Sequence, residues 1–153
     1  MSDSILDRIQ SDMTQAMKSK DAATLSTLRM LKTALMEEKT KKPRDASLTA
    51  DEEIVVLQRY AKKRRETIEE LQKHGQDPAL VAREEEEIAI TRRYLPQAVD
   101  EGALREIVRQ AIATTGATGP RDMGKVIGAV MAQVKGRADG GDVSRLVKEL
   151  LAG

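Results

Sequence analysis

Residues 121–142 have the sequence Arg-Asp-Met-Gly-Lys-Val-Ile-Gly-Ala-Val-Met-Ala-Gln-Val-Lys-Gly-Arg-Ala-Asp-Gly-Gly-Asp. The large apolar side chains of this stretch recur every three or four residues, at Met123, Val126, Ile127, Val130, Met131 and Val134. This spacing predicts a helix with one apolar face, which must pack against other parts of the protein. The same stretch carries the candidate functional residues.

A second row, with a spacing of four residues, runs beside the apolar face and consists of Gly124, Gly128 and Ala132. Glycine inside a helix costs about 1 kcal/mol relative to alanine, so two glycines in one row need a physical reason. Either a neighbouring helix packs closely against the row, or a ligand backbone approaches it. Lys125 and Lys135 lie beside the row and would suit a phosphate backbone. Spacing alone leaves both interpretations open.

The composition excludes several classes of protein. The chain of 153 residues is 33% charged, but its net charge is only +1, so no overall field attracts it to nucleic acid or to a membrane. It has no cysteine, which removes disulfides and thiolate nucleophiles and fits a reducing compartment. The N-terminal residues show no signal peptide, and no segment has the roughly 20 apolar residues that span a bilayer. We expect a cytoplasmic protein without a membrane partner.

The scarcity of aromatic residues bears on both the core and the ligand. Phe and Trp are absent, and Tyr60 and Tyr94 are the only aromatic side chains. The core must therefore consist of aliphatic residues and Met, which suits helix packing. Single-stranded bases usually stack on several aromatic rings, so an RNA ligand should be folded RNA that is recognised by shape and backbone.

The apolar spacing predicts an all-α protein, because no segment alternates with a period of two. Four helices are expected before Pro96, over about residues 3–19, 22–41, 49–74 and 77–95. Three more are expected after it, over about 100–115, 120–135 and 143–151, with a turn at 139–141. The proline and the change of pattern divide the chain into an N-terminal helical bundle, 1–95, and a C-terminal tail domain, 97–153.

Local signals support these helix boundaries. Thr49 and Glu52 form a capping box, in which the hydroxyl and the carboxylate each bond a free backbone N–H. Gly75 suits the left-handed turn that ends a helix. Asp77 and Pro78 suit the start of the next helix, because proline lacks only an N–H that is unpaired in the first turn.

Two charged segments, 62–65 and 84–87, are candidates for a binding or catalytic site. Arg64 of the basic segment 62–65 lies near an apolar row and should extend its head group to solvent, whereas the other three side chains point to solvent or to a partner. The acidic segment 84–87 spreads around its helix and should form a solvated face that pairs with the basic segment. His74, the only histidine, lies at a helix end. We therefore predict no catalytic residues, no metal ligands and no cofactor.

The segments Asp-Met-Gly-Lys-Val-Ile-Gly-Ala-Val-Met at 122–131 and Lys-Gly-Arg-Ala-Asp-Gly at 135–140 resemble the tail signature of the GatB/YqeY family. This tail ends the B subunit of the aspartyl/glutamyl-tRNA amidotransferase and forms the second half of the free-standing YqeY-like proteins. The resemblance implies that the tail recognises the outside of the tRNA body. The amidotransferase carries out its chemistry in a separate catalytic region, so a ligase label would be inherited from that relative.

Three functions follow as hypotheses. The first is a tRNA-binding accessory module without a catalytic centre, in which the RNA-binding residues are Gly124, Lys125, Gly128, Lys135, Gly136 and Arg137. Its partners would be tRNA and, as a further candidate, a tRNA-charging or amidotransferase protein. The second is a protein-interaction module that docks through the basic helix around Lys62–Arg65. The third is a carbon–nitrogen ligase component that uses glutamine as amido-N-donor.

Overall fold

A computed structural model describes residues 4–75 and 77–152, and within them all regular secondary structure is helical. The prediction of an all-α protein with four helices followed by three is confirmed. No helix in this part of the chain is both long and apolar enough to cross a membrane. The elements are α1 Ile5–Lys18, α2 Ala22–Thr40, α3 Ala50–Lys73, α4 Pro78–Arg92, α5 Glu101–Thr115, a 3₁₀ turn Pro120–Asp122, α6 Met123–Val134 and α7 Gly140–Ala152.

Side-chain caps set where five of the helices begin. In each case an oxygen of the capping residue accepts a hydrogen bond from a backbone N–H in the first turn, where the helix itself offers no partner. The caps are Ser4, Asp21, Thr49, Asp77 and Asp100. Gly75 and Gly116, with φ of 64° and 70°, follow α3 and α5 in the left-handed conformation. The predicted cap at Thr49, the helix end at Gly75 and the start at Asp77 are therefore confirmed.

The chain forms two compact units, Met1–Leu95 and Pro96–Gly153. In the first unit α2 contacts α1, α3 and α4, and α3 and α4 form an antiparallel hairpin. Leu28, Leu31 and Leu35 of α2 are completely buried. Met17 and Met30 are 55% and 45% exposed, although they are apolar, because no described helix covers those sides of α1 and α2.

The buried face of α3 includes a charged residue. Glu53 lies on it together with Val56, Leu57, Tyr60 and Ala61. Beyond Ala61 in α3 and before Ile88 in α4, no described residue is buried. We call this part of the hairpin, residues 62–75 and 77–87, the arm.

The second unit has its own aliphatic core, to which α5, α6 and α7 contribute. The buried residues of this core are Leu104, Val108, Ala111, Val126, Val130, Val134, Val143, Leu146 and Val147. The predicted turn at 139–141 is wrong, because Gly140 and Gly141 form the first turn of α7. Asp139 explains the difference, since its carboxylate accepts a hydrogen bond of 3.3 Å from the Gly141 N–H and so stabilises a helix start.

Candidate nucleic-acid interface

The inner face of α6 is the one that the sequence predicts. Val126, Val130 and Val134 are at most 1% exposed and lie in the core of the second unit. Met123, Ile127 and Met131 pack around them and are partly buried. This face fixes the rotation of α6, and therefore decides which residues the helix presents on its other side.

Gly124 and Gly128 lie on the exposed side of α6. A Cβ atom built on either glycine would have no heavy atom within 4 Å. The interpretation that this row packs against a neighbouring helix is therefore wrong for the described chain. The buried valines occupy the packing face, and the glycines are turned away from it.

Other small residues extend this open surface. Ala129 and Ala132 are also exposed, so the exposed positions of α6 between Lys125 and Gln133 carry only backbone and methyl groups. Glycine at solvent-exposed helix positions loses about 1 kcal/mol relative to alanine and gains no packing in return. The bare surface therefore lowers the stability of this unit without serving its core.

Cations flank the bare surface. Lys125 lies in the first turn of α6 and Lys135 follows its last turn, and both are exposed. They are ten positions apart in sequence, which corresponds to about 15 Å along a helix at 1.5 Å per residue. The sequence from 123 to 138 has three basic residues and no acidic one. The surface therefore combines close access to the backbone with local positive charge, although the whole chain is nearly neutral.

The loop after α6 carries the remaining two candidates. Lys135 and Gly136 have φ of 29° and 81°, so the chain turns sharply there. Arg137 also has a structural role that the sequence did not reveal. Its Nε donates a hydrogen bond of 3.2 Å to the carbonyl of Gln97, and its own carbonyl accepts one of 2.8 Å from the Val99 N–H. Arg137 thus joins this loop to the segment before α5.

The basic segment of α3 is divided by the fold. Lys62 and Lys63 are exposed, but Arg64 turns into the space between α3 and α4. Its Nε lies 3.7 Å from Glu84 and its terminal nitrogen 3.8 Å from Glu87. The predicted pairing of the basic and acidic segments is confirmed for Arg64, whereas the expectation that Arg64 extends its head group to solvent is wrong. It pairs with two carboxylates instead.

Arg64 belongs to a polar layer inside the hairpin. Its guanidinium lies 4.5 Å from the centre of the Tyr60 ring, and the Tyr60 hydroxyl donates a hydrogen bond of 3.5 Å to Glu87. Burial, followed by the charge of Glu87, raises the pKa of the Glu84 carboxyl. Arg64 Nε and one Glu84 oxygen are buried without a hydrogen-bond partner. The layer stabilises one pairing of the two helices and presents little to solvent.

The remaining reactive side chains do not converge. His74 is exposed at the end of α3 and lies 3.4 Å from Glu70 one turn earlier. Among residues 4–75 and 77–152, no group of three His, Asp or Glu side chains is arranged to hold a metal ion. Tyr60 and Tyr94 are 9% and 5% exposed, so neither ring is available for stacking against a base. The open side of α6 is therefore the best candidate site.

Comparison with known protein families identifies the family of this chain. The sequence profile of the Yqey-like proteins matches residues 6–151, which include nearly all of both units. The chain belongs to the YqeY-like family. The predicted family is thereby confirmed, and the match covers α1–α4 as well as the tail on which the resemblance mainly rested.

A relative in this family is the fungal protein named "Altered inheritance of mitochondria protein 41, mitochondrial", from Pyrenophora tritici-repentis (strain Pt-1C-BFP). It is 30% identical over 152 residues, which cover 96% of this chain and 81% of the relative. Its name specifies neither a ligand nor a reaction. The YqeY-like assignment therefore defines the family, and the function has to be argued from the site.

Proposed function

We propose that this YqeY-like protein is a tRNA-binding accessory protein that binds the outside of folded tRNA with the open side of α6. The observation that carries the proposal is that Gly124 and Gly128 face away from the core with nothing within 4 Å of an added Cβ. Two exposed glycines weaken a helix, and close approach of a ligand backbone supplies the reason to keep them. Lys125 and Lys135 flank the row and would pair with phosphates.

The chemistry of the surface favours backbone recognition over base recognition. Phosphate contacts provide affinity and position but carry no sequence information. The tyrosines, which could stack on bases, are buried. Folded RNA with regularly placed phosphates matches such a surface better than a single strand does.

The family adds an independent argument. The tail signature resembles that of the tRNA amidotransferase B subunit, and this resemblance implies contact with the tRNA body. The proposal assigns no catalytic step to the chain, so purified protein should neither hydrolyse ATP nor release ammonia from glutamine. We place the protein in the cytoplasm. The name of the fungal relative places that protein in mitochondria, and tRNA occurs in both compartments.

The first test is the substitution Gly128→Leu, measured as binding of the full chain to fluorescently labelled tRNA. The leucine would cover the row and hold a phosphate backbone away, so binding should weaken at least tenfold. Ala113→Leu is the matched control, because Ala113 is exposed on α5 of the same unit. Equal binding by Gly128→Leu and wild type would refute the proposed surface.

The second test uses salt. Replacing Lys125 and Lys135 by Gln should flatten the dependence of log K on log salt by nearly two units, at about 0.9 per phosphate by analogy with B-DNA. Lys148→Gln, at an exposed position of α7, is the control for loss of charge. An unchanged slope in the double variant would mean that these lysines contact no phosphate.

A second candidate function is docking of a protein on α3, favoured by the exposure of Lys62 and Lys63. The inward turn of Arg64 leaves fewer outward charges there than the sequence predicted. Replacing Lys62 and Lys63 by Gln separates the two functions. Loss of a captured protein with unchanged tRNA affinity would favour docking, whereas the tRNA proposal expects both substitutions to leave tRNA affinity intact.

A further inference from the structure

The arm of the α3/α4 hairpin carries apolar side chains that the described chain leaves partly uncovered. Leu80 is 47% exposed, and Ile68, Leu71 and Val81 are only partly buried. These residues lie beyond the part of the hairpin where the core of the first unit ends. Apolar side chains left exposed outside the core are typical of an interaction site.

Helical spacing shows that this surface continues the inner row of the hairpin. The row steps by three or four residues through Leu57, Tyr60, Arg64, Thr67 and Leu71 on α3, and through Leu80, Glu84, Glu87 and Thr91 on α4. Leu57 and Thr91 are completely buried, whereas Leu80, on the same row, is half exposed. The hairpin therefore keeps its inward-facing pattern past the point where described residues cover it.

A groove on α3 lies beside this row. It is lined by Lys63, Glu66, Thr67, Glu70, Leu71 and His74. The apolar part of Leu71 lies between charged groups. The Glu70 side chain is 68% exposed, so its contact with His74 leaves it accessible to a partner. The groove has one lysine and two glutamates, a balance that disfavours a polyanion such as RNA.

We propose that this groove binds the arm of a second copy of the chain, with the two α3 helices antiparallel. Lys63 and Glu70 both line the groove and are seven residues, or about 10.5 Å, apart. A two-fold axis beside Thr67 places Lys63 of each copy against Glu70 of the other. The same pattern of charges on both copies therefore brings opposite charges together, as is required where one surface patch contacts its own copy across a two-fold axis. Pairing of the two hairpins in a four-helix arrangement then covers Leu71, which lines the groove.

The test is sedimentation of the full chain across a concentration series. Wild type should dimerise, and Lys63→Glu or Glu70→Lys alone should weaken the dimer about tenfold, since each variant faces like charges across the axis. An equimolar mixture of the two variants should restore association, because every charged pair is then opposite. Lys73→Glu is the control, as Lys73 is exposed on α3 but does not line the groove.

The substituted residues are exposed, so circular dichroism should show unchanged helix content. A wild type that stays monomeric up to about 1 mM, where a contact of about 4 kcal/mol is half formed, would overturn the proposal and leave the groove to a different protein. A dimer that both single variants leave intact would place the interface elsewhere. A dimer broken by both variants but not restored in the mixture would refute the antiparallel register.

Discussion

The carboxylate of Glu53 in α3 accepts a hydrogen bond of 2.9 Å from the backbone N–H of Leu6, in the first turn of α1. Its other oxygen accepts one of 3.2 Å from the N–H of Ile5. Glu53 is 3% exposed, so the contact replaces water at a buried helix end. A negative group at this end also meets the positive end of the helix dipole. Glu53 thereby joins α3 to a residue of α1 that lies 47 positions earlier in the sequence.

We expect Glu53→Ala to destabilise the protein by about 1–3 kcal/mol, because buried donors at the start of α1 lose their acceptor. Glu53→Gln keeps one acceptor oxygen and should cost less. Urea unfolding measures both variants. Asp51→Ala is the control in the same turn of α3, where the exposed side chain should change stability by about 0.5 kcal/mol or less. Similar losses in all three variants would contradict a specific role for Glu53.

Because the pKa values of both tyrosines are raised in the folded protein, we expect the protein to lose stability at high pH. Burial, followed by the charge of Glu87, raises the pKa of Tyr60 to about 12. Burial and the hydrogen bond to Asp12 raise the pKa of Tyr94 as well. A folded-state pKa above the unfolded value of about 10 stabilises the fold below pH 10, and this contribution is lost as the pH rises toward about 12.

Tyrosinate absorbance checks this directly, because the chain has only two tyrosines and no tryptophan. The folded protein should ionise above pH 10, and the urea-unfolded protein near it. Tyr60→Phe assigns the two signals. Identical titration curves for folded and unfolded protein would contradict the raised pKa values of the tyrosines.

We expect substitutions of Arg64 and Glu84, which pair in the polar layer of the hairpin, to have non-additive effects on the free energy of unfolding. Arg64→Met alone should destabilise by about 1–3 kcal/mol, since Glu84 and Glu87 then face each other without a cation. Adding Glu84→Leu should recover most of that loss, because apolar residues of similar volume often replace a buried ion pair without cost. A double-mutant cycle from thermal unfolding gives the coupling. Simple additivity would mean that the two side chains do not interact.

The open side of α6 predicts a gain in stability from substitution of its glycines. Gly124→Ala and Gly128→Ala should each stabilise by about 0.5–1 kcal/mol, since the added Cβ meets no atom and alanine favours the helix. Gly116→Ala is a contrasting control, because its φ of 70° strains any residue with a Cβ. Chemical unfolding measures all three. A loss of stability at Gly124 or Gly128 would show that the row packs against something.

The second unit should keep helical structure by itself. Residues 97–153 contain their own aliphatic core in α5, α6 and α7. The small size of such a fragment makes its stability marginal, so we expect it to be folded, and to unfold cooperatively, only when the starting temperature is low. Circular dichroism of the fragment tests this, and a spectrum without helix even in the cold would mean that the tail needs residues 1–96 to fold.

Much of the architecture was predictable because its signals are local. The apolar spacing predicts the seven helices, and caps such as Thr49 and Asp77 predict where helices start, since both signals depend on neighbours within one or two turns. The tail signature in 122–140 likewise gave the family. These features need no knowledge of which helices meet.

The packing partners were decided only by the tertiary structure. The spacing of Gly124 and Gly128 suits a helix contact as well as an open surface. Because the valines of α6 occupy the buried face, the glycines face away from the core and form an open surface. Glu53 looks like a surface charge until the start of α1 is placed against it. The sequence determined which faces are apolar, small or charged, because these follow from helical periodicity. Which faces are covered depends on contacts between distant segments, and periodicity does not encode them.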